Sequence, residues 1–242
     1  MKITFVGTSH GVPSAERACT CFMIESGAFV YFIDAGAPLA DSVLRYGRQT
    51  ADLRAVFISH IHTDHMVGLL HMADLLNWYY KDLSAEFYIP DQACIDAAKN
   101  WIVTCNGIPV DEERIRFTVP SAGLVYQDEN IKVEYIPTQH HRTSHAILVT
   151  EGDKRVLFSG DLSGGLRKDD MPDLIREELD AFVCELAHFG MEHLAPYLDE
   201  CRAKKVFITH VYPVAKYEDV EKVKGNYPFA LLTPADGDSV LI

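Results

Sequence analysis

The chain has 242 residues, of which 48% are hydrophobic and 24% charged, the balance of a globular protein with one domain or two halves sharing a core. A formal net charge of −13 sets the surface against a phosphate backbone, so long nucleic-acid footprints are disfavoured, while a metal-bearing site could still draw in a small anionic substrate. No apolar run is long enough to span a membrane, and the N-terminal segment breaks at Gly7 with no signal-peptide core, so the cytoplasm is the expected compartment.

In chain order, residues 2–6 read as a strand, followed by a loop punctuated by Gly7, Gly11 and Pro13. Residues 21–25 and 29–33 form a hairpin around Ser26-Gly27, and 38–46 form a short helix with Pro38 early. A buried strand over 54–59 runs into His60-Ile61-His62-Thr63-Asp64-His65. Helical patterns follow at 66–80 and 92–105, with a strand between them at 86–90. The run Trp78-Tyr79-Tyr80, closing the first of these helices, either walls a pocket or anchors the helix in the core, and the core is the expected role. Strands are expected at 116–119, 124–127, 131–136, 145–150 and 155–159. A short helix near 172–178, a strand at 181–185, an amphipathic helix at 191–202 and strands at 206–209, 231–234 and 239–242 complete the chain. There is no repeat and no linker. The order of strands then helices, repeated, predicts an α/β layered fold in which two sheets pack face to face with helices outside, as one domain over 1–242. Cys19, Cys21, Cys94, Cys105, Cys184 and Cys201 include no CxxC pair and are expected as reduced, mostly buried thiols.

Asp34, His60, His140, Asp161, Glu185 and His210 all fall at or just past the ends of expected strands, where loops on a rigid scaffold commonly build sites. Alternation along a strand lets His60 and His62 face one point, with Asp64 and His65 reaching a second point nearby. Imidazole and carboxylate donors suit zinc, or manganese or iron. Two divalent ions sharing a bridging water need seven or eight ligands. His60, His62 and His140 can serve one ion, Asp64, His65 and His210 the other, with Asp161 between them. Asp64 can also orient the water. Asp34 is either an acceptor for a ligand histidine or a turn residue. His141 stands beside His140 as a rival.

The segments Gly7 to Ser14, Phe32 to Gly36, His60 to His65, His140, Ser159-Gly160-Asp161 and Thr209-His210 together resemble the metallo-β-lactamase superfamily, from first strand to last. The opening loop and the Met-Val-Gly-Leu after the cluster resemble its ribonuclease Z and phosphodiesterase branch. The resemblance implies the αβ/βα four-layer sandwich, two bound metals and hydrolysis by a metal-activated hydroxide. Its compact spacing, with Ser144 four residues after His140, implies His140 as the third ligand. It also implies that His188, 22 residues before His210, is a general acid, with Glu185 orienting it. Asp161 stands where β-lactamases of this superfamily have Cys, which argues against that activity, and His62 stands where the di-iron oxygen reductases have Glu. Only 20 residues separate His140 from Asp161, and no basic, glycine-rich arm for gripping tRNA appears. The expected activity is therefore a phosphodiesterase on a small or cyclic phosphodiester. Hydrolysis of a lactone, thioester or ester at the same site is the second expectation, and a non-catalytic metal-binding protein the third. The family also suggests a homodimer. His10 is expected near the site mouth; His71, His145 and His193 carry no usable spacing.

Overall fold

The computed structural model describes residues 1–167 and 170–242. Its elements, in chain order, are β1 (Lys2–Gly7), β2 (Cys21–Ser26), β3 (Phe29–Ile33), α1 (Leu39–Arg45), β4 (Leu53–Phe57), α2 (Thr63–Met66), α3 (Leu69–Trp78), β5 (Ala85–Tyr88), α4 (Gln92–Asn106), β6 (Ile115–Thr118) and β7 (Gly123–Gln127). The second half adds β8 (Lys132–Pro137), β9 (His145–Glu151), β10 (Lys154–Phe158), β11 (Ala181–Leu186), α5 (Met191–Glu200), β12 (Lys205–Val211), α6 (Lys216–Val223), β13 (Ala230–Leu232) and β14 (Ser239–Leu241).

One sheet runs β14-β1-β2-β3-β4-β5-β6 and the other β13-β12-β11-β10-β9-β8-β7, seven strands in each. Period-two alternation explains how they stack. Phe22, Ile24, Tyr31, Ile33 and Phe57 point from the first sheet into a shared core, where Tyr135, Ile147, Phe158, Val183 and Phe207 meet them from the second. The intervening Met23, Val30, Phe32 and Val56 face outward and bury against Leu39, Leu69, Met72 and Ile95 of α1, α3 and α4. On the far side, Phe182, Cys184, Val206 and Ile208 do the same with Leu194, Leu198 and Val220 of α5 and α6. The result is the expected αβ/βα sandwich. Among the described residues no helix is long and apolar enough to cross a membrane.

Several boundaries differ from the sequence expectation. The strand before the histidine cluster stops at Phe57, so His60 and His62 converge through a loop, not through strand alternation. The helix after them begins at Thr63 and breaks at Val67-Gly68 before α3 starts. The segment near 172–178 is a single 3-10 turn, Asp173–Arg176. Trp78 and Tyr79 do not enter the core: they are 41% and 61% exposed. The buried face of α3 is Leu69, Met72, Ala73 and Leu76, and the helix ends at Trp78 before another inward turn is complete, so only Tyr80 packs against the core. The helix α6 was not expected, because Val220 is its one buried residue and its sequence reads as a polar segment.

Candidate metal centre

The C-terminal ends of β3, β4, β8, β10, β11 and β12 bring the candidate residues to one edge of the sandwich. Two local devices aim them. Asp34, just after β3, adopts φ 57°, and His210, inside β12, adopts φ 50°, both left-handed conformations that cost a non-glycine residue energy and tend to persist where function holds them. Pairing between β11 and β12 jumps from Glu185↔Thr209 to Leu186↔Val211, which leaves His210 as the extra residue of a β-bulge. A bulge re-aims a side chain, and here it turns the His210 imidazole towards Asp161.

Two glycines let the cluster dock. A Cβ on Gly36 would lie 1.9 Å from the Asp64 carbonyl oxygen, and one on Gly68 would lie 1.9 Å from that of Ala37. The backbones are this close because Ala35 N–H donates to His65 O at 2.6 Å and Gly68 N–H donates to Ala35 O at 2.7 Å. Gly36→Ala should therefore destabilise the fold by about 1–3 kcal/mol, the cost of overpacking a tight contact. Chemical denaturation checks this, and an unchanged midpoint would contradict the contact.

Three groups of donor atoms result, each close enough to hold a metal ion: His60, His62, His140 and Asp161 in the first, Asp64, His65 and His210 in the second, and Asp161, His188 and His210 in a third that overlaps both. In the first, His60 Nε2 lies 3.0 Å from His62 Nδ1, and His140 Nε2 lies 3.2 Å from the same atom. Asp161 Oδ2 is 3.6 Å from His60 Nε2 and 3.7 Å from His140 Nε2. Donors held about 2.0–2.1 Å from a tetrahedral zinc sit about 3.3 Å apart, so these separations match the edges of a coordination shell. In the second group, His65 Nε2 is 3.5 Å from Asp64 Oδ2. Asp161 reaches this group as well, with Oδ1 3.3 Å from His65 Nε2 and Oδ2 3.4 Å from His210 Nε2. One carboxylate thus faces both groups.

The hydrogen bonds behind the rings determine which nitrogen is bare. Ser59 Oγ donates to Asp34 Oδ2 at 2.8 Å, so it can accept only from His60 Nδ1–H, 3.1 Å away. Thr20 Oγ1 donates to Ser9 O at 3.2 Å and accepts from His210 Nδ1–H at 2.7 Å. Asp34 Oδ2 accepts from His65 Nδ1–H at 2.7 Å, and its Oδ1 accepts from Ser59 N–H at 2.7 Å. In all three rings Nε2 faces the cluster, and fixing the tautomer this way is how protein groups behind a metal prepare its ligands. Asp34 is the acceptor alternative of the sequence, in a turn geometry as well. Asp34→Asn should weaken metal affinity about 10–100-fold. Zinc titration against a competing chelator measures it, and unchanged affinity would show that Asp34 serves only the turn.

Charge follows burial. Burial lowers the pKa of His60, His62 and His210, with neighbouring imidazoles adding to the effect, and takes His140 down to about 4. Neutral imidazoles are the form a metal needs. Burial pushes the Asp161 carboxyl up, against the pull of His65. Burial also opposes charge on His65, but the flanking Asp161 and Asp34 carboxylates raise its pKa well above the ordinary value, so a metal and a proton compete for its Nε2. The fit to a cation rests on two atoms. His65 Nε2 and Asp161 Oδ1 are buried, make no hydrogen bond and face one another at 3.3 Å, an approach that needs either a proton on the imidazole or a cation that both atoms can hold. The all-nitrogen-and-oxygen donor set suits zinc, manganese or iron.

His188 stands beside both groups, its ring centroid 4.4 Å from that of His140 and its Nδ1 3.9 Å from Asp161 Oδ2. Glu185 is 2% exposed. Its Oε1 accepts from His188 Nδ1 at 2.9 Å and Leu162 N–H at 2.8 Å, and its Oε2 accepts from Ala187 N–H at 2.7 Å and His188 N–H at 3.1 Å. Burial opposes charge on His188, but the bond to Glu185, its charge and Asp161 hold the pKa above the ordinary value. His10 packs on the exposed Tyr212 ring at 4.3 Å and lies 6.4 Å from His210, at the mouth of the site. His141 turns its Nδ1 to Thr143 Oγ1 at 3.0 Å and joins none of the donor groups. Ser144 serves the loop, donating to carbonyls of Thr138 and His141. His71 and His193 are exposed on helices away from the cluster, and His145 packs on Tyr135. Ser59 and Thr20, which set two of the rings, went unread in the sequence, since a lone hydroxyl carries no spacing signal.

The comparisons with known proteins agree with this architecture. The metallo-β-lactamase fold protein YhfI of Bacillus subtilis superposes with a TM-score of 0.79 at 17% identity, covering 99% of this chain and 98% of that one. The short form of human tRNase Z gives 0.75 at 16% identity, over 100% and 99%. Ribonuclease Z of Prochlorococcus marinus is 28% identical over 158 residues, 64% of this chain and 50% of its own length, so the chain spans about half the length of the curated relatives it matches. The family described as anti-Pycsar protein Apyc1 matches residues 1–230. The chain has the metallo-β-lactamase fold and belongs to the Apyc1 anti-Pycsar protein family.

Proposed function

We propose that the protein is a metal-dependent phosphodiesterase acting on a small or cyclic phosphodiester. Two divalent ions, zinc first and manganese or iron(II) next, would be held by His60, His62 and His140 on one side and Asp64, His65 and His210 on the other, with Asp161 shared. The observation that carries the proposal is His188, bonded to the buried Glu185 and set beside both donor groups. A thioester expels a weakly basic thiolate and needs no such acid, whereas an alkoxide leaving phosphorus, like one leaving a lactone carbonyl, needs a proton, so the preference for a phosphodiester over a lactone leans on the ribonuclease Z relatives. When bound, such ions lower the pKa of water and offset charge on the phosphoryl oxygens.

The chain's own residues would do the rest. Asp64 accepts a hydrogen bond from the attacking water and orients it. Water adds to phosphorus as one of its protons passes to solvent, the bond to the leaving oxygen breaks, His188 Nε2–H gives its proton to that oxygen, and His188 takes a proton back from solvent before the next turnover. Glu185 stabilises the His188 imidazolium before transfer. The products are a phosphomonoester and an alcohol. The names of the ribonuclease Z relatives support phosphodiester chemistry, while the short span from His140 to Asp161 and the net charge of −13 favour a small substrate over tRNA. The test is an assay of zinc- and manganese-loaded protein against bis(p-nitrophenyl) phosphate, cyclic nucleotides, lactones and thioesters. Turnover of lactones or thioesters with none of any phosphodiester would overturn the proposal.

A further inference from the structure

The loop that carries His188 is held from its outer side by one lysine. Lys216, at the start of α6, donates to Leu186 O at 2.9 Å, Ala187 O at 2.9 Å and Phe189 O at 2.6 Å. An ammonium has three donors, and all three are used on this loop. The carbonyl of His188 is taken by Gly165 N–H at 3.0 Å. Every carbonyl from 186 to 189 is therefore satisfied, and Glu185 Oε2 takes the N–H groups of Ala187 and His188 from within. A cation in the first turn of a helix opposes the helix dipole, and burial lowers the pKa of Lys216. Its position disfavours both its charge and its helix, so the three carbonyls are what it serves.

We propose that Lys216 is a positioning residue for His188. Glu185 fixes the ring through Nδ1, and Lys216 fixes the backbone from which the ring hangs. The inference rests on the role proposed above for His188. Without the ammonium the three carbonyls turn to water, the loop relaxes, and His188 Nε2 loses its aim at the leaving oxygen. Misplacement by an ångström is enough to cost about 100-fold in rate.

The test compares Lys216→Met, which keeps the aliphatic length and removes the donors, with His188→Ala and with the double variant. Kinetics are followed on a 3′,5′-cyclic nucleotide, whose leaving group is an alkoxide. The expected result is a fall of about 10–100-fold in kcat with KM little changed. In the His188→Ala background Lys216→Met should lower kcat no further, because both act through one ring. Proton NMR of the metal-free and zinc-loaded proteins supplies the second readout. The ring proton shared by His188 Nδ1 and Glu185 should be protected from exchange in the parent protein and lose that protection in Lys216→Met. A protected proton in Lys216→Met overturns the inference, as does a kcat loss fully additive with that of His188→Ala. If His188→Ala leaves turnover intact while Lys216→Met still frees the ring proton, the acid assignment fails and the positioning role stands.

Discussion

Replacing Asp161 by Ala should lower turnover by at least the 10²–10³-fold seen when a single preorganised electrostatic contact is lost from an active site. The reason is its double reach. Oδ1 lies 3.3 Å from His65 Nε2 and Oδ2 lies 3.4–3.7 Å from His210, His60 and His140, so one truncation takes a donor from both groups. Among the described residues no other member of the cluster reaches both sides in this way. The carboxyl is buried, so water cannot replace it without rearrangement. Asp161→Asn separates charge from shape: it keeps one oxygen donor and should retain partial affinity at one group.

The second large effect is His188→Ala, and its size should depend on the leaving group. With an alkoxide leaving group the loss should be about 10²–10⁴-fold in kcat, the usual contribution of general acid catalysis. With bis(p-nitrophenyl) phosphate the nitrophenolate departs without protonation, so the same variant should lose far less. Glu185→Gln should follow the same leaving-group pattern, since it removes the charge that holds the imidazolium while keeping one oxygen, enough for the Ala187 and His188 N–H groups but not for that of Leu162 as well. Equal losses on both substrates would mean that His188 holds a ligand or the substrate instead of donating a proton. That alternative has a geometric form, because His188, Asp161 and His210 also lie close enough to hold an ion.

The layered fold was legible because alternation such as Cys21, Met23 against Phe22, Ile24 marks a strand buried on two different faces. The donors were legible because imidazoles and carboxylates cluster in six residues and recur at strand ends. What escaped falls outside pattern. The bulge at His210 depends on pairing between β11 and β12, which no local sequence records. Ser59 and Thr20 act through single hydroxyls, and their partners lie 25 and 190 residues away. Trp78 and Tyr79 looked like core residues, but where a helix stops is set by tertiary packing, and α3 stops one turn too soon. α6 buries only Val220, so its hydrophobic period is too weak to see, and Lys216 within it contacts the site through backbone carbonyls that carry no sequence identity. The superfamily and its ribonuclease Z branch were legible in the histidine cluster, the opening loop and the Met-Val-Gly-Leu run, while nothing in those segments marks the narrower Apyc1 family.

The proposed function requires two divalent ions before a phosphodiester is cleaved. The direct measurement is titration of the metal-free protein with zinc while turnover of a cyclic phosphodiester is followed together with bound metal. Turnover that rises to a plateau only as the second equivalent binds, and that Asp161→Ala does not regain at any zinc concentration, is the predicted result. Full turnover at one equivalent, or two bound equivalents with no phosphodiester cleaved, would contradict it.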